Sequence, residues 1–536
     1  MADNYETYSR EELLRLLRER DRRAKFRLVW ERDEIEHDKS LNDDFVALDL
    51  DPALSCGDAP FENLIIEGDN FDALRYLRMT HAGRVKCIYI DPPYNTGNRD
   101  FIYNDRFVDK EDAYRHSKWL EFMYRRLTLA KDLLADDGVI FVSIGEEEAC
   151  HLKLLMDQTI GAQLFIGQLI WKSRQNKDNR TKNSVSVDHE YVLTYGKSVR
   201  GVRRNEEQFD NPDEDPRGSW TSGNMVGLAD ESARPNLHYD LIDPATGVNY
   251  GKPRQGWRYD RNRMSQLIAE NRILWPTKTG GRPRQKVFLK EMKSEFTGFS
   301  SLVGIDIFTY HGTRELDDIF DARPFDFPKP SELVKELIEQ ATQPGDLVLD
   351  FFAGSGTTAH AVMKLNAGDG GKRRFILVSS TESTGEERDK NLCRDVCAQR
   401  VRRVAQGYIN KKGEAVAGLG GSFAYLRTKR IPVSRVFNDI QHEQVWHALQ
   451  LIHGAALTGF DLGALVHVSG KEDDKLVYVP KLTGATVTEV ARLAGLGGRL
   501  VVYSWQPGLL RQRIEAANVA FEKIPEYLVS RFGVVK

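Results

Sequence analysis

The chain has 536 residues, 41% of them hydrophobic and 29% charged, with a formal net charge of −3. That length exceeds what one hydrophobic core can serve and requires two or three domains; the composition excludes bulk disorder, and the near-neutral charge excludes a protein basic over its whole surface. Apolar runs such as Val139–Ile144 and Phe375–Val378 are far shorter than the ~20 residues that cross a bilayer. Met1-Ala2-Asp3-Asn4-Tyr5 lacks the basic-then-apolar pattern of a signal peptide, so a cytoplasmic protein without membrane contact is expected. Five scattered cysteines (Cys56, Cys87, Cys150, Cys393, Cys397) complete no zinc motif and read as free thiols, with no metal site expected.

In chain order, Ser9-Arg10-Glu11-Glu12 has the form of a capping box ahead of Leu13, Leu14, Leu16 and Leu17, predicting a helix over 9–25. The stretch 30–60 is acidic and irregular, and 1–60 reads as an N-terminal arm. Leu64–Asp69 predicts a strand ending in a glycine turn, Asn70–Arg78 the helix it feeds, and Val85–Ile90 a short buried strand stopped by two prolines. Trp119–Leu134 has helical periodicity; Val139–Ile144, Ile166–Trp171 and Tyr191–Tyr195 predict strands. From 198 to 325 periodicity fades into Gly, Pro, Asn and Arg with interleaved aromatics. Alternation then resumes: helix at Ser331–Ala341, strand at Leu347–Phe351, helix at Thr357–Leu365, strand at Phe375–Ser379. This pattern predicts an α/β domain over 61–197 and 326–420, with a mostly parallel twisted sheet and helices on both faces, interrupted by an insert at 198–325. A small α+β unit follows over 421–536, with helices at Val445–Ile452 and Leu509–Ala520 and a strand at Leu500–Trp505.

Two motifs carry chemistry. Asp350-Phe351-Phe352-Ala353-Gly354-Ser355-Gly356-Thr357 runs from an apolar strand through a glycine turn into a helix. Such a turn lets backbone N–H groups and the helix N-terminus approach a ligand. There is no P-loop lysine, and Glu382 lies just after the next strand, where α/β cofactor folds place the acid that grips ribose hydroxyls. The second motif is Asp91-Pro92-Pro93-Tyr94-Asn95-Thr96-Gly97, directly after a buried strand. Pro92 and Pro93 make a rigid extended turn. It would gather a carboxylate, the Pro92 carbonyl and the Tyr94 ring, which are two acceptors and a flat face suited to an exocyclic amine on a base.

Asp-Pro-Pro-Tyr together with Phe-x-Gly-x-Gly resembles the signature pair of the amino-group DNA methyltransferases. The order here, with the glycine motif about 260 residues after the first, is similar to the beta class. Asp-Asn-Phe-Asp-Ala-Leu (69–74), His-Glu-Tyr-Val-Leu-Thr-Tyr-Gly-Lys (189–197), Phe-Pro-Lys-Pro (327–330) and Leu28-Val29-Trp30-Glu31 resemble the modification subunits of Type III restriction–modification systems. The resemblance implies a Rossmann-like methyltransferase domain that uses S-adenosylmethionine. It implies that Phe352, Gly354, Gly356 and Thr357 line the cofactor with Asp350 nearby, that Lys329 and Pro330 meet its methionine end, and that Asp91–Tyr94 bind the target base. Asp rather than Ser at 91 favours adenine N6 as the target; cytosine N4 is the alternative, and a non-catalytic recognition subunit of a defence complex is the rival of a different class.

The target amine is inaccessible inside a duplex, so base extrusion is expected, with Tyr94 stacking on the base. Recognition of double-stranded DNA is expected from the insert, where Arg254, Trp257, Arg258, Tyr259, Arg261, Arg263, Trp275, Lys278, Arg282, Arg284 and Lys286 interleave cations and aromatics. The loop Lys172–Lys182, with Lys172, Arg174 and Lys177, is expected to clamp the DNA backbone. The C-terminal unit is expected to serve self-association, as a homodimer, or docking of a restriction helicase–nuclease.

Overall fold

The computed structural model describes residues 9–10, 28–31, 42–97, 101–103, 106–179, 185–278, 280–382, 389–471 and 473–533. The helix expected over 9–25 lies outside the described residues. The chain divides into two compact units, Met1–Val199 with Ser300–Lys536, and Arg200–Phe299.

The larger unit is organised by a ten-stranded sheet. Its strands are β1 (Phe45–Leu50), β2 (Leu64–Glu67), β3 (Val85–Ile90), β4 (Leu134–Ile144), β5 (Phe165–Trp171), β6 (Glu190–Gly196), β7 (Leu302–Val303), β8 (Leu347–Asp350), β9 (Arg374–Ser379) and β10 (Ala424–Ile431). They lie in the order β1-β10-β2-β9-β8-β3-β4-β6-β5-β7. From β10 to β4 every neighbouring pair is parallel, while β6 runs antiparallel to both β4 and β5, and β1 antiparallel to β10. The central strands read Val-Lys-Cys-Ile-Tyr-Ile, Leu-Val-Leu-Asp and Arg-Phe-Ile-Leu-Val-Ser and are buried almost throughout. Near-continuous apolar runs of this kind are what a parallel sheet covered on both faces demands. The expected α/β fold is borne out.

The helices are α1 (Asn70–His81), α2 (Arg115–Leu133), α3 (Ala149–Met156), α4 (Thr309–Phe320), α5 (Ser331–Ala341), α6 (Thr357–Asp369), α7 (Ala398–Gln406) and α8 (His442–Ile452). The chain leaves β8 through α6 towards β9 on one side, and leaves β3 through α2 towards β4 on the other. Adjacent strands β8 and β3 therefore flank a topological switch point, where open α/β sheets leave a crevice beyond their strand ends. The two sequence motifs sit at those two ends.

Three expectations are corrected. The stretch 30–60 contains β1, whose Phe45, Val46, Ala47 and Leu48 are buried; Asp43, Asp44, Asp49 and Asp51 around them hide a four-residue apolar run from a composition reading. The boundary at 421 precedes β10, which inserts between β1 and β2 rather than belonging to a separate layer. The irregular insert condenses to Arg200–Phe299, and 300–325 return to the larger unit as β7 and α4. Gly312 obscures α4 in the sequence, but the glycine is required: a Cβ there would lie 2.1 Å from the Pro328 carbonyl oxygen.

Beyond β10, α8 buries Val445, Trp446 and Leu449, and a second sheet of β11 (His467–Lys471), β12 (Asp474–Val479), β13 (Arg499–Ser504) and β14 (Val519–Lys523) follows. The helix expected over Leu509–Ala520 stops at Arg513, because Val519–Lys523 is drawn into parallel pairing with Leu500–Ser504. In the smaller unit, Trp220–Gly223, Arg284–Phe288 and Ile273–Leu274 form a sheet, and Met225, Tyr239, Leu241, Trp257, Met264, Leu267 and Ile273 form a core.

Candidate active site

Beyond β3 the segment Asp91–Gly97 carries no regular structure and is held from several sides. Trp119 on α2, fully buried, donates its indole N–H to the Pro93 carbonyl at 2.7 Å. Asn95 is in the left-handed region (φ 57) and donates to Glu148 Oε1 at 2.6 Å and to the Arg115 carbonyl at 3.3 Å. Glu148, at the start of α3, has no exposed surface, and its two oxygens also accept from His116 Nδ1 at 2.6 Å and His151 Nδ1 at 2.8 Å. His116, Glu148 and His151 are the one group among the described residues with donors placed as metal ligands would be. Here they close a hydrogen-bonded set around the carboxylate and tie the Asp91–Gly97 segment to α2 and α3. Glu148→Gln would turn one acceptor oxygen into a donor facing another donor. A loss of about 1–3 kcal/mol of stability is expected, with a fall in activity because Asn95 shares the segment with Asp91; denaturant melts and rates check both, and an unchanged melt would refute it.

Facing Asp91 is Lys329. Its Nζ lies 2.9 Å from each Asp91 carboxylate oxygen, 2.8 Å from the Tyr94 hydroxyl and 3.2 Å from Glu190 Oε2. Tyr94 donates its hydroxyl to Glu190 Oε2 at 2.7 Å, and the Lys329 ammonium stands 4.8 Å from the Tyr94 ring centroid and 6.0 Å from that of Trp171. Burial raises the Asp91 pKa, and the attraction of Lys329 only partly offsets it. For Lys329 burial works the other way, yet Asp91 and Glu190 outweigh it and hold the ammonium above its usual range. Tyr94 is pushed well above the ordinary phenol range by burial and by the two carboxylates. The site is thus a cation clasped between two acids against an aromatic wall.

At the end of β8, Asp350 is buried; its Oδ1 accepts the Phe352 N–H at 2.9 Å and its Oδ2 the Thr358 hydroxyl at 2.5 Å. Burial is the main force raising its pKa to about 7, against those two hydrogen bonds, with the charge of Asp91 adding to the rise. Gly354 (φ 50) and Gly356 (φ 80) are both left-handed. At Gly356 space is decisive as well: a Cβ would meet the Cys397 carbonyl oxygen at 3.1 Å and its sulfur at 3.2 Å. Phe352 is half-buried with its ring 5.9 Å from that of Phe122, and Asn70 donates to the Phe351 carbonyl at 2.9 Å while accepting from Arg126.

Behind the turn, fully buried Arg400 on α7 donates to Ser355 Oγ at 3.0 Å and Thr357 Oγ1 at 2.8 Å, and to Glu315 Oε2 at 2.9 Å. Glu315 is also paired with Lys364 at 2.8 Å; despite burial, the surrounding His360, Arg400 and Lys364 hold its carboxyl down to about 2. Thr357 Oγ1 donates to the Lys329 carbonyl at 3.3 Å, so one network touches both motifs. Pro330 is buried immediately ahead of α5.

The structure thus brings together Asp91, Tyr94 and Lys329 directly, and sets Asp350, Phe352, Gly354, Gly356 and Thr357 at the adjoining strand end. Glu382 stands three residues beyond β9 with φ 51, its carboxylate 3.4 Å from Lys390 Nζ. Glu190, Glu148, Asn95 and Arg400 are additional. Glu190 lies within the His189–Lys197 run that the sequence singles out, but its part in the site, like that of the others, is given only by the fold.

The basic residues divide. Lys172, Arg174 and Lys177 are exposed before the loop passes beyond the described residues at 180–184, and Arg174 pairs with Asp178 at 3.0 Å. In the smaller unit Arg254, Arg258, Arg261, Arg282 and Arg284 are exposed; Arg261 lies over the Tyr239 ring at 4.8 Å, and Arg284 donates to Ser222 Oγ at 2.6 Å. Trp257 and Lys286 are corrected: both are buried, the indole donating to the Tyr239 carbonyl at 2.8 Å and the ammonium pairing with Asp213 and Asp215. They build the unit's core, since an indole with an internal acceptor and an ammonium with two carboxylates are stable there.

A family model described as DNA methylase (N6_N4_Mtase) matches residues 85–395, more than half of the chain. The Type III restriction-modification enzyme StyLTI Mod subunit of Salmonella typhimurium is 34% identical over 379 residues, 64% of this chain and 57% of its own length. The EcoP15I Mod subunit of Escherichia coli is 30% identical over 398 residues, 61% of this chain and 60% of its own. The chain spans under two thirds of the length of these two relatives. It spans 79% of the Type II methyltransferase M.KpnI of Klebsiella pneumoniae, at 33% identity over 334 residues and 58% of this chain. Among the described residues no helix is long and apolar enough to cross a membrane. With the motif order, the sheet and these matches in agreement, the chain belongs to the N6/N4 DNA methylase family.

Proposed function

We propose that this protein methylates DNA site-specifically, transferring the methyl group of S-adenosylmethionine to N6 of an extruded adenine, as the modification activity of a restriction–modification system. The observation that supports it most is the placing of the Asp91–Tyr94 carboxylate and ring beside the left-handed glycine turn on adjacent strands of the switch point. The turn fits the cofactor: a Cβ at Gly354 would meet nothing nearer than the Phe325 ring, at 3.4 Å, and α6 begins just beyond it at Thr357. Gly354, Gly356, Phe352 and Thr357 would hold it, with Glu382 towards the ribose. When bound, S-adenosylmethionine supplies an electrophilic methyl group on a sulfonium.

The protein's residues then have three tasks. Asp91 and the Pro92 carbonyl accept the two N–H bonds of the target amine, drawing the nitrogen towards a tetrahedral geometry and its lone pair out of conjugation with the ring; one of those protons leaves once the nitrogen carries the methyl group. The Tyr94 ring stacks on the base and fixes the amine in line, and alignment of this kind supplies about 7–11 kcal/mol of a barrier. The Asp91 charge offsets the positive charge growing on nitrogen. Recognition falls to the exposed arginines of Arg200–Phe299. The relatives' place in restriction–modification enzymes supports a helicase–nuclease partner.

Expression in a host lacking DNA methylation, followed by sequencing that reads modified bases directly, is expected to show N6-methyladenine at one short motif and none with Asp91→Ala. N4-methylcytosine instead would overturn the base assignment, and an unmodified genome would overturn the activity.

A further inference from the structure

The Lys329 ammonium stands where the proposed function needs an amine. It spans both Asp91 oxygens at 2.9 Å each and lies against the Tyr94 ring, 4.8 Å from its centroid. It also bridges to the Tyr94 hydroxyl at 2.8 Å, so it fills the space between carboxylate and ring that a base stacked on Tyr94 and its amine would need, and must give way as they enter. Its side chain is only 10% exposed, so water offers little compensation for a cation leaving its partner, and breaking such a pair without replacement is costly. Among the described residues, one other carboxylate pairs with that nitrogen: Glu190, 3.2 Å away at the start of β6 and itself only 20% exposed. Tyr94 reinforces the pair by donating its hydroxyl to the same Glu190 oxygen at 2.7 Å.

We propose that Glu190 is a positioning residue, the second seat of the Lys329 ammonium, which draws that cation off Asp91 as the target amine enters. This rests on the amine-methylating reading above. In the structure the ammonium holds both Asp91 oxygens and Glu190 together; with the target amine seated it would hold Glu190 alone. The charged and titratable groups around Asp91 are Lys329, Glu190, Tyr94, Tyr89 and Asp350. Of these Glu190 adds a negative charge that raises the Asp91 pKa.

The test is Glu190→Gln in the full chain, with methyl transfer to unmethylated genomic DNA followed across pH. The expected result is a fall in kcat of about tenfold, within the range of coupling between contacting charges, with KM for DNA changed less. The acid limb of kcat is expected to move to lower pH, because the charge that raised the Asp91 pKa has gone. Glu190→Asp should keep the limb in place and recover most of the rate. In a Lys329→Gln background, Glu190→Gln should change kcat less than it does in the wild type, since the cation to be reseated is absent. A fall in rate with an unmoved acid limb, or effects of the two substitutions that simply multiply, would assign Glu190 a structural role and overturn the proposal while the methylation reading stands. Absence of methyl transfer by the wild-type chain would instead overturn that reading, and this inference with it.

Discussion

Asp91→Asn is expected to lower kcat for methyl transfer by about 10²–10³-fold, the loss typical of removing one preorganised electrostatic group from a transition state. Asparagine keeps the shape of the side chain but offers one acceptor oxygen and, at the other position, an N–H pair. That pair would face the Lys329 ammonium or the incoming amine, both of which donate. The countercharge for nitrogen is lost at the same time. Because that charge develops only as the bond forms, the effect belongs to kcat, and KM for DNA should change much less. Rates at saturating DNA and S-adenosylmethionine, with a melting curve to establish folding, are the measurement. The wild-type rate itself should fall on the acid side at a pH above the ordinary carboxylate range, since burial raises the Asp91 pKa and only the ionised form accepts from both sides. An unchanged kcat in the asparagine variant would remove Asp91 from the chemistry.

The second large effect is expected at Arg400, which touches neither the base nor the methyl group. Arg400→Met leaves a side chain of similar reach without donors, in a site with no exposed surface. Ser355 and Thr357 lose their buried partner, and Glu315 retains only part of its cationic surroundings. Removing one member of a buried ion pair costs about 3–5 kcal/mol; the surviving Lys364 contact places this case at the lower end. A lowered melting temperature is expected, together with weaker S-adenosylmethionine binding by titration calorimetry, because the hydroxyls of the glycine turn are no longer anchored. Unaltered cofactor affinity in a folded variant would show that the turn holds its shape without the arginine.

Much of the fold was legible because parallel strands are short, apolar and bounded. The strand Val85–Ile90, and likewise the amphipathic helix Ser331–Ala341, are found with the ends their sequences suggest. The misreadings share a cause: a local signal was overruled by a distant partner. β1 is flanked by aspartates that mask it, yet it pairs residue for residue with Ala424–Ile431. The helix at 509–513 yields to strand because β13 offers Val519–Lys523 a parallel edge. Trp257 and Lys286 carry the composition of a nucleic-acid surface but find internal partners, which composition cannot report. At the site, Asp91, Tyr94 and the glycines were legible because each motif is contiguous. Glu190 and Arg400 were not, since their meaning lies in reaching Lys329 and Thr357 across the fold.

The lodging of β10 between β1 and β2 has a consequence for how this protein is made. A ribosome releases β1, β2 and the whole Asp91–Gly97 segment long before Ile431 emerges. Until then β2 presents an open edge and β1 lacks its strand partner. Unpaired edges of that kind invite pairing between nascent chains. The sheet therefore closes late in synthesis, and a chain cut short before residue 431 is expected to leave β1 and β2 without their shared strand and to pellet rather than stay in solution.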